Sequence, residues 1–385
     1  MHLATETLTG IDEIDAGAMD ALLPPQDPFA NKAFLSALER HGAVDPSLGW
    51  SPTHIALRDE QRQLVGLLPL YFKGNSFGEF IYDWSWAAAF RQAGIAYYPK
   101  LFSGIPYTPA TGARLWVPAG THQQTIRRAL IEAAIKLANE RGLPSWHVAF
   151  PDAEETPLFE TAGLLTRKDI QFHWFNRGYR HFPDFMQTLA SDKRRKLKAE
   201  QRKVAEAGIE IEQCHGDAIE PELWRQLHAL YAATFDKFGN HPAISAACFA
   251  EIAQALGKGM VLFIARLGGM PVAVSICFRS ANVLYGRYWG ASGRFDGLHF
   301  ELCYYQGIDY CIREGLARFE PGAGGEHKIA RGFEPTPVTT MHWIADPRMR
   351  EVLRTHLARV DQSVEHYRAE AAEHLPFRDD GKIIS

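Results

Sequence analysis

The chain has 385 residues, a formal net charge of −4, 46% hydrophobic residues and 22% charged residues. This length predicts two domains, and the composition is typical of a soluble protein that can bury a sizeable core. The small negative charge excludes an overall basic field that would collect nucleic acid, so any such binding needs a local basic patch.

The five cysteines include no CxxC pair, which argues against a disulfide framework or a zinc ribbon and favours a reducing compartment. The N-terminal sequence MHLATETLTGIDEID lacks the basic and apolar regions of a secretory signal. Apolar runs all fall short of the roughly 20 residues that a spanning helix needs. We therefore expect a cytoplasmic protein without a transmembrane segment.

The first half of the chain is predicted to form alternating strands and helices. A helix over 121–141 shows apolar residues at helical spacing and ends at Gly142. The other predicted elements are helices over 31–40, 84–92 and 154–161, and strands over 54–58, 64–72, 77–82, 97–102, 145–150 and 171–176. Strands and helices in this alternation predict an α/β domain.

A basic helical segment follows, SDKRRKLKAEQRKVAEAG, over 191–208. Arg194, Lys198 and Arg202 recur every fourth residue and so share one helix face. Charge runs are often only solvated helix faces; the alternative is an arm that contacts phosphates. The candidate phosphate-binding residues are Arg194, Arg195, Lys198 and Arg202.

The stretch 283–335 carries the strongest pattern. Residues 283–289 predict a strand, a Gly-rich turn follows, and 298–314 predict a helix with one apolar face. A short strand at 317–320 then leads into a second Gly-rich loop. Strand, helix and strand in this order form a crossover unit of an α/β sheet, and such sheets place their sites at strand ends.

The two halves show a similar order of elements. HIALR and VGLLPLYF in the first half are echoed by FIARL and VAVSICF in the second, and each pair reads as a hairpin of two apolar strands. Each hairpin is followed by a further strand, a long helix and a short strand. One interpretation is an internal duplication that divides the chain near Gly178. The other is that any two α/β domains share such runs.

Four runs together resemble the Fem-like peptidyltransferases, and in particular the bacterial group described as peptidoglycan biosynthesis or recognition proteins. They are HWFNRGYRHFPDF (173–185), GRYWG (286–290), LHFELCYYQ (298–306) and FEPGAGGEHKIARGFEP (319–335). The resemblance extends over nearly the whole chain. It implies an α/β fold of two tandem GNAT-like (acyl-CoA N-acyltransferase) domains with a helical insert.

On this resemblance the predicted domains are a first GNAT-like domain on the acceptor side, a helical arm, a second GNAT-like core, and a C-terminal helix that packs back on the first domain. Their boundaries are 1–178, 179–258, 259–345 and 346–385. Fem-like proteins transfer an amino acid from aminoacyl-tRNA to an amine of a peptidoglycan precursor, and the wider superfamily uses acyl-CoA. No cofactor is required, with acyl-CoA as an alternative donor.

Two departures from the family pattern bear on the site. The superfamily's pyrophosphate loop, Q/R-x-x-G-x-G/A, is only partly echoed by RYWGAS at 287–292. Fem-like proteins carry a lysine two residues before a Gly-Phe pair, and here that position is Ala330, flanked by Lys328 and Arg331. The cationic role can therefore pass to either flanking residue.

Acyl transfer to an amine needs a proton acceptor, stabilisation of the oxyanion and alignment of both substrates. The proton-acceptor candidates are Glu301, Glu326 and His327, with a structural ion pair to Arg287 or a helix cap as the alternatives for the two carboxylates. For the oxyanion we favour Arg331 or Lys328, helped by backbone groups near Tyr288 and Trp289. The alternative for Arg331 is a salt bridge to Glu320 or Glu334.

Further substrate-binding candidates come from both halves. The spacing of His299, Glu301 and His327 matches no HExxH pattern, so no metal site is predicted. In a Fem-like chain the aromatic stretches 82–90 and 97–109 would form the acceptor cleft, although aromatic clusters more often belong to a core. The substrate-binding candidates are Tyr285, Arg287, Tyr288, Trp289, His299, Asp83, Trp84, Trp86 and Lys100.

The sequence therefore favours an N-acyltransferase with an aminoacyl-tRNA donor and an amine or cell-wall-precursor acceptor. Two alternatives stay open. One is an acyl-CoA-dependent N-acetyltransferase of a small amine. The other is a non-catalytic protein that binds a peptidoglycan precursor or a protein partner.

Overall fold

The computed structural model describes residues 2–22, 27–236 and 241–378, and the chain divides into two compact units. Unit 1 comprises residues 1–169 and 337–366, and unit 2 comprises 170–336 and 367–385. These boundaries differ from the predicted division at 178, 258 and 345. The segment from 337 belongs to unit 1 because its strand pairs with the strand at 145–149.

The regular elements, in chain order, are as follows. The strands are β1 (Ala4–Leu8), β2 (Trp50–Pro52), β3 (His54–Arg58), β4 (Leu64–Leu68), β5 (Tyr71–Lys73), β6 (Lys100–Ser103), β7 (Ser145–Ala149), β8 (Leu165–Phe175), β9 (Ile209–His215), β10 (Met260–Leu267), β11 (Met270–Arg279), β12 (Val283–Ala291), β13 (Arg318–Glu320) and β14 (Glu334–Ile344). The α-helices are α1 (Ala16–Asp20), α2 (Lys32–Arg40), α3 (Trp84–Gln92), α4 (Gln123–Glu140), α5 (Thr156–Thr161), α6 (Phe182–Thr188), α7 (Ser191–Glu206), α8 (Pro221–Asp236), α9 (Ala246–Leu256), α10 (Leu298–Phe300), α11 (Gln306–Arg313) and α12 (Pro347–Glu373).

Unit 1 contains two sheets. Strands β1, β3 and β4 form an antiparallel sheet in the order β1-β3-β4, and the second sheet runs β2-β5-β6-β7-β14. Within the second sheet β6 and β7 are parallel, so the chain between them crosses over through α4. The apolar stripe of α4, including Ile126, Leu130 and Ala134, packs into the same core as Trp146 of β7.

Unit 2 is built on a sheet in the order β8-β13-β12-β11-β10-β9. Among the strands that the structure describes in this unit, β12 and β13 form the parallel pair, and the helical segment 298–313 makes the crossover between them. Leu302, Ile308 and Cys311 of that segment are buried against Phe319 of β13. The order of elements predicted for 283–320 is thus present in the structure.

One local prediction is wrong, and two strands were not predicted. The strand predicted over 77–82 is absent because Phe80 and Tyr82 have φ of 60° and 56°, which a strand does not accommodate. Strand β9 lies within the predicted helical arm 179–258, directly after the helix end predicted at Gly208, and forms the edge of the unit 2 sheet. Strand β14 follows the second Gly-rich loop, where the sequence analysis predicted no element.

Candidate active site

A cavity of about 310 Å³ opens in unit 2 where β12 and β13 part. The two strands pair over only three residues each, Val283–Tyr285 with Arg318–Glu320. Strand β13 then ends, whereas β12 continues to Ala291 along β11. The cavity therefore lies at the carboxyl ends of a parallel pair, where α/β sheets place ligand sites. Its lining residues are Ser275, Gly286, Arg287, Tyr288, Trp289, His299, Cys303, Tyr304, Pro321, Ala323, Gly324, Gly325, His327 and Lys328.

Strand β12 is bulged at Arg287. Gly286 pairs with Cys277 and Tyr288 with Ile276, so Arg287 is an extra residue in the ladder. A bulge bends the strand and redirects a side chain, and here it turns the strand at the cavity wall. Gly286 allows a close approach here, because a Cβ at this position would lie 3.2 Å from both the Phe319 ring and the Pro321 Cα, which is tighter than an ordinary contact.

The helical segment 298–313 contains a π-helical turn, Glu301–Tyr305, between α10 and α11. Single π-turns inside α-helices occur frequently at functional sites. With the i to i+5 spacing of a π-turn, His299 and Tyr304 lie together on the cavity wall, with ring centroids 5.5 Å apart. The sequence analysis did not identify Cys303 and Tyr304, because it assumed a regular helix over 298–314 without a π-turn.

The hydroxyl of Tyr304 is hydrogen-bonded to Nε2 of His327, 2.7 Å away. Burial, with Lys328 and Arg331 adding to it, lowers the pKa of His327 below its ordinary value of 6.5. Burial lowers the pKa of His299 to about 4, with His327 and Arg331 adding to the effect. Both imidazoles are therefore neutral near pH 7, the form that can accept a proton.

Lys328 is 3% exposed and lies in the 3₁₀ segment Glu326–Arg331. Its Nζ donates to the carbonyl oxygens of Gly322 at 2.7 Å and Ala323 at 3.4 Å, which fastens the Gly-rich loop to the cavity floor. Burial lowers the pKa of Lys328 to about 8, and the charge of Arg287 acts in the same direction. At neutral pH this ammonium is charged and faces the cavity.

Arg331 is not among the lining residues. Its NH2 donates to Oε1 of Glu200 at 2.8 Å, its Nε to Oη of Tyr305 at 3.0 Å, and its NH1 to the carbonyl of His327 at 2.7 Å. The salt-bridge alternative thus matches the geometry, with Glu200 of α7 as the partner in place of Glu320 or Glu334. Arg331 acts on the cavity by holding the backbone of His327.

The two carboxylate candidates, Glu301 and Glu326, also lie outside the cavity lining. Glu301 is 4% exposed and accepts a hydrogen bond from Nε2 of Gln306 at 2.8 Å, and burial raises its pKa. Glu326 accepts a hydrogen bond from Oη of Tyr367 at 2.8 Å. Tyr285 is buried in the paired part of β12. None of these three lines the cavity, whereas His299, His327 and Tyr304 do.

In unit 1, the expectation that Lys100 meets a ligand phosphate or carboxylate is not supported. Its Nζ has no exposed surface and is bonded to Glu79 at 2.8 Å, to Ser76 at 3.0 Å and to Asp83. Asp83 also accepts a hydrogen bond from Tyr97 at 2.6 Å. Trp86 is buried, with its ring centroid 4.6 Å from that of His342, whereas Trp84 is 54% exposed.

The predicted basic arm is helix α7, which belongs to unit 2. Arg195, Lys198 and Arg202 are exposed, while Arg194 is half-buried and donates to the carbonyl of Leu189 at 3.3 Å. Nε of Arg202 lies 3.5 Å from Oε1 of Glu206. The opposite face of the same helix presents Glu200 to Arg331.

The described ranges, 2–22, 27–236 and 241–378, contain no group of three or more His, Cys, Asp or Glu side chains arranged to hold a metal ion. Within the same ranges, no helix combines the length and apolar character that crossing a membrane would require.

Solved structures resemble the chain in fold. FemX aligns with a TM-score of 0.53 and 11% identity over 91% of this chain and all of that one. The C-terminal DUF2156 domain of an Agrobacterium fabrum protein aligns with a TM-score of 0.54 and 10% identity, over 91% of this chain and 97% of that one. L-PGS from Bacillus licheniformis aligns with a TM-score of 0.51 and 11% identity, over 89% of this chain and 96% of that one. At such low identity these similarities are evidence of the fold alone. They confirm the predicted tandem α/β architecture.

Among curated proteins none matches the chain. The family model for FemAB-like proteins, described as peptidoglycan biosynthesis/recognition, matches residues 10–379. The chain therefore belongs to the FemAB-like family.

Proposed function

We propose that this FemAB-like chain is an N-acyltransferase that moves an aminoacyl group from an aminoacyl-tRNA to the amine of a cell-wall precursor. One observation carries the proposal: the unit 2 cavity is lined by two cations and two neutral imidazoles, and none of the described residues that line it is acidic. Such a cavity attracts an anionic donor and supplies proton acceptors for an amine.

The reaction follows from these groups. The acceptor amine attacks the ester carbonyl of the donor, and the amine proton passes to the Tyr304–His327 pair. The ammonium of Lys328 and the guanidinium of Arg287 face the developing oxyanion and stabilise it. When the carbonyl re-forms, the ester C–O bond breaks and the 3′-terminal hydroxyl of the tRNA leaves with a proton returned by the same pair.

The basic face of α7 supports the choice of a tRNA donor. Arg195 and Lys198 are exposed on the helix whose inner residue, Glu200, holds Arg331 and through it the cavity segment. The donor's phosphates would contact the outer face while its aminoacyl end enters the cavity. An acyl-CoA donor would leave this surface without a role.

The test is a thermal-shift screen with aminoacyl-tRNA, acetyl-CoA and a nucleotide-linked muropeptide, followed by a transfer assay with labelled aminoacyl-tRNA. The proposal expects stabilisation by aminoacyl-tRNA and by the muropeptide, and label in the muropeptide that depends on both. Deacylated tRNA serves as the control donor. Transfer from acetyl-CoA alone would favour the N-acetyltransferase alternative, and precursor binding without any transfer would favour the non-catalytic one.

A further inference from the structure

The ion pair between Glu200 of α7 and Arg331 lies outside the cavity, and the reaction proposed above assigns no step to it. The side chains of Glu200 and Arg331 are 14% and 5% exposed. Such a pair adds little net stability, because the cost of removing two charges from water offsets their attraction. It can instead fix one arrangement of the groups around it, so the contacts of this pair decide its role.

Glu200 joins two segments that are separate in the sequence. Its Oε1 accepts a hydrogen bond from NH2 of Arg331 at 2.8 Å, at the end of the 3₁₀ segment. Its Oε2 accepts from the hydroxyl of Tyr305, the last residue of the π-turn. The same hydroxyl accepts from Nε of Arg331 at 3.0 Å. The three side chains therefore form a closed ring of hydrogen bonds that uses both carboxylate oxygens.

Arg331 connects this ring of hydrogen bonds to the Tyr304–His327 pair in two ways. Its NH1 donates to the carbonyl oxygen of His327 at 2.7 Å. Its Cζ also lies 3.4 Å from the ring centroid of Phe300, within the range of a cation–π contact. The centroid of Phe300 is 6.1 Å from that of Tyr304, with the rings at 21°, and 5.7 Å from that of His327. Arg331 therefore contacts the backbone of His327 and the ring that packs against both members of the pair.

The backbone of α7 lies directly against the start of the helical segment 298–313. Gly297 has a φ of 84°, and a Cβ at this position would lie 2.8 Å from the carbonyl oxygen of Glu200. That distance is shorter than side-chain contacts allow, so the close approach depends on glycine. The carboxylate of Glu200 therefore extends from a backbone that is packed against the segment carrying Tyr304.

We propose that Glu200 is a positioning residue which, through Arg331, holds the imidazole of His327 and the hydroxyl of Tyr304 at the distance that proton transfer requires. The proposal rests on the proposed function, in which this pair accepts the amine proton. Proton transfer needs the two atoms about 2.6–3.2 Å apart, and here they are 2.7 Å apart. A displacement of about 1 Å costs about 100-fold in rate. Glu200 therefore acts on the rate of the chemical step without contacting either substrate.

Four variants of the full chain test this role. Glu200→Ala removes both carboxylate oxygens, whereas Glu200→Gln keeps the length of the side chain and one acceptor oxygen. Arg331→Met and the double variant Glu200→Ala with Arg331→Met test whether Glu200 acts through Arg331. The matched control is Glu206→Ala, the same substitution on the same helix at a side chain that is 66% exposed. Circular dichroism and thermal melting establish which variants are folded.

Two readouts are measured. The first is kcat and KM in the transfer assay with labelled aminoacyl-tRNA and the muropeptide. The second is ¹⁵N NMR of histidine-labelled protein at a pH where the imidazoles are neutral, with the His327 signals identified by their loss in His327→Ala. These signals report which ring nitrogen carries the proton, which depends on the hydrogen bond that the ring makes. The NMR measurement needs no substrate.

We expect Glu200→Ala to lower kcat by about 100-fold and to leave both KM values within about twofold, because alignment is lost and binding is not. Glu200→Gln should recover at least about tenfold of that loss. In the Arg331→Met background, Glu200→Ala should cause no further loss of kcat. The wild type and Glu206→Ala should show one His327 tautomer, and Glu200→Ala a mixture of two.

A folded Glu200→Ala protein with wild-type kcat and a single His327 tautomer would overturn the proposal. So would a rise in KM alone, or an equal loss of kcat from Glu200→Ala with and without Arg331. If Glu200→Ala does not fold, the double variant replaces it, since it leaves neither charge of the pair unpaired; a single His327 tautomer there would overturn the proposal. A wild type that transfers nothing would overturn the proposed function, while the tautomers would still decide whether Glu200 positions His327.

Discussion

The two units contain the same arrangement of two parallel strands joined by a helix, but they differ in what lies beyond the carboxyl ends of these strands. In unit 1, Leu101–Ser103 pair with Trp146–Val148, and in unit 2, Val283–Tyr285 pair with Arg318–Glu320. Each pair is three residues long and is joined by a helical crossover. Beyond the pair, unit 2 opens into a cavity, whereas unit 1 is filled by its own chain.

The filling of unit 1 is specific. Arg114 donates from Nε to the carbonyl of Ala149, the last residue of β7, at 2.7 Å. Buried Glu155 accepts hydrogen bonds from the backbone N–H groups of Arg114 at 2.8 Å and Leu115 at 2.9 Å. The loop from 104 to 117 is thereby fixed over the strand ends. In unit 1 the side chains of Arg114 and Glu155 bond the chain that covers the strand ends, while unit 2 leaves histidine, lysine and arginine facing a space that a ligand can enter.

The largest expected difference concerns two histidines. His327→Ala should lower the proposed transfer rate by about 100- to 10,000-fold, since it removes the proton acceptor. His147→Ala should leave the rate of the folded protein nearly unchanged but destabilise unit 1 by about 3 kcal/mol. His147 is fully buried and bonded to His342 at 2.6 Å, so its loss leaves a cavity and an unpaired partner.

Transfer rates and urea unfolding of both variants measure this contrast. A His327→Ala protein with wild-type turnover would remove the Tyr304–His327 pair from the mechanism. A rate loss for folded His147→Ala equal to that of His327→Ala would mean that unit 1 also takes part in the chemistry.

The next largest expected effect is a loss of stability at the buried ion cluster of unit 1, which consists of Lys100, Glu79 and Asp83. Lys100→Met should cost about 3–5 kcal/mol of unfolding free energy, because Glu79 and Asp83 would stay buried without their cation. Lys136→Met is the control, since Lys136 is 76% exposed on α4 and its change should fall within about 0.5 kcal/mol. Equal stability of the two variants in urea titrations would show that Lys100 is dispensable to the fold.

The pH dependence of transfer tests Lys328. Its ammonium is charged below its pKa of about 8, so kcat/KM should fall by about tenfold per pH unit as pH rises well above that value. On the acid side the lowered pKa of His327 places the loss of activity below pH 6.5. Lys328→Arg keeps the charge at all accessible pH values and should abolish the alkaline limb. An alkaline limb that persists in this variant would assign it to another group.

The sequence predicts the unit 2 crossover well because its apolar periodicity, glycine cap and short strand agree locally. Six of the fourteen lining residues follow from it: Arg287, Tyr288, Trp289, His299, His327 and Lys328. Tyr304 and Cys303 do not, because their direction depends on the π-turn at Glu301–Tyr305, which has no signal in the apolar pattern.

Long-range pairs escape prediction for a different reason. The partner of Arg331 is Glu200, 131 residues earlier, and Lys100 finds Glu79 and Asp83 from 21 and 17 residues away. Local spacing gives no information on such contacts, because only tertiary packing decides which carboxylate meets a buried cation. The functional interpretation of Lys100 and Arg331 from sequence therefore rests on charge alone. In the structure Lys100 is bound by two buried carboxylates and Arg331 by the partly buried carboxylate of Glu200.

The smallest expected effect on the fold comes from the basic face of α7. Replacing Arg194, Arg195, Lys198 and Arg202 by glutamine should change the unfolding free energy by no more than about 0.5 kcal/mol each. Each lost phosphate contact reduces the magnitude of the slope of log K against log salt concentration by roughly 0.7–0.9. The slope for tRNA binding should therefore be shallower in the quadruple variant by up to roughly 3.

The matched control replaces four exposed arginines of α12: Arg348, Arg354, Arg359 and Arg368. It removes the same charge but should keep the slope, because net charge alone does not place cations along a phosphate backbone. Equal flattening in both variants would reduce the effect to general electrostatics, and a wild type without salt-dependent tRNA binding would make α7 a solvated face whose structural task is to hold Arg331 through Glu200.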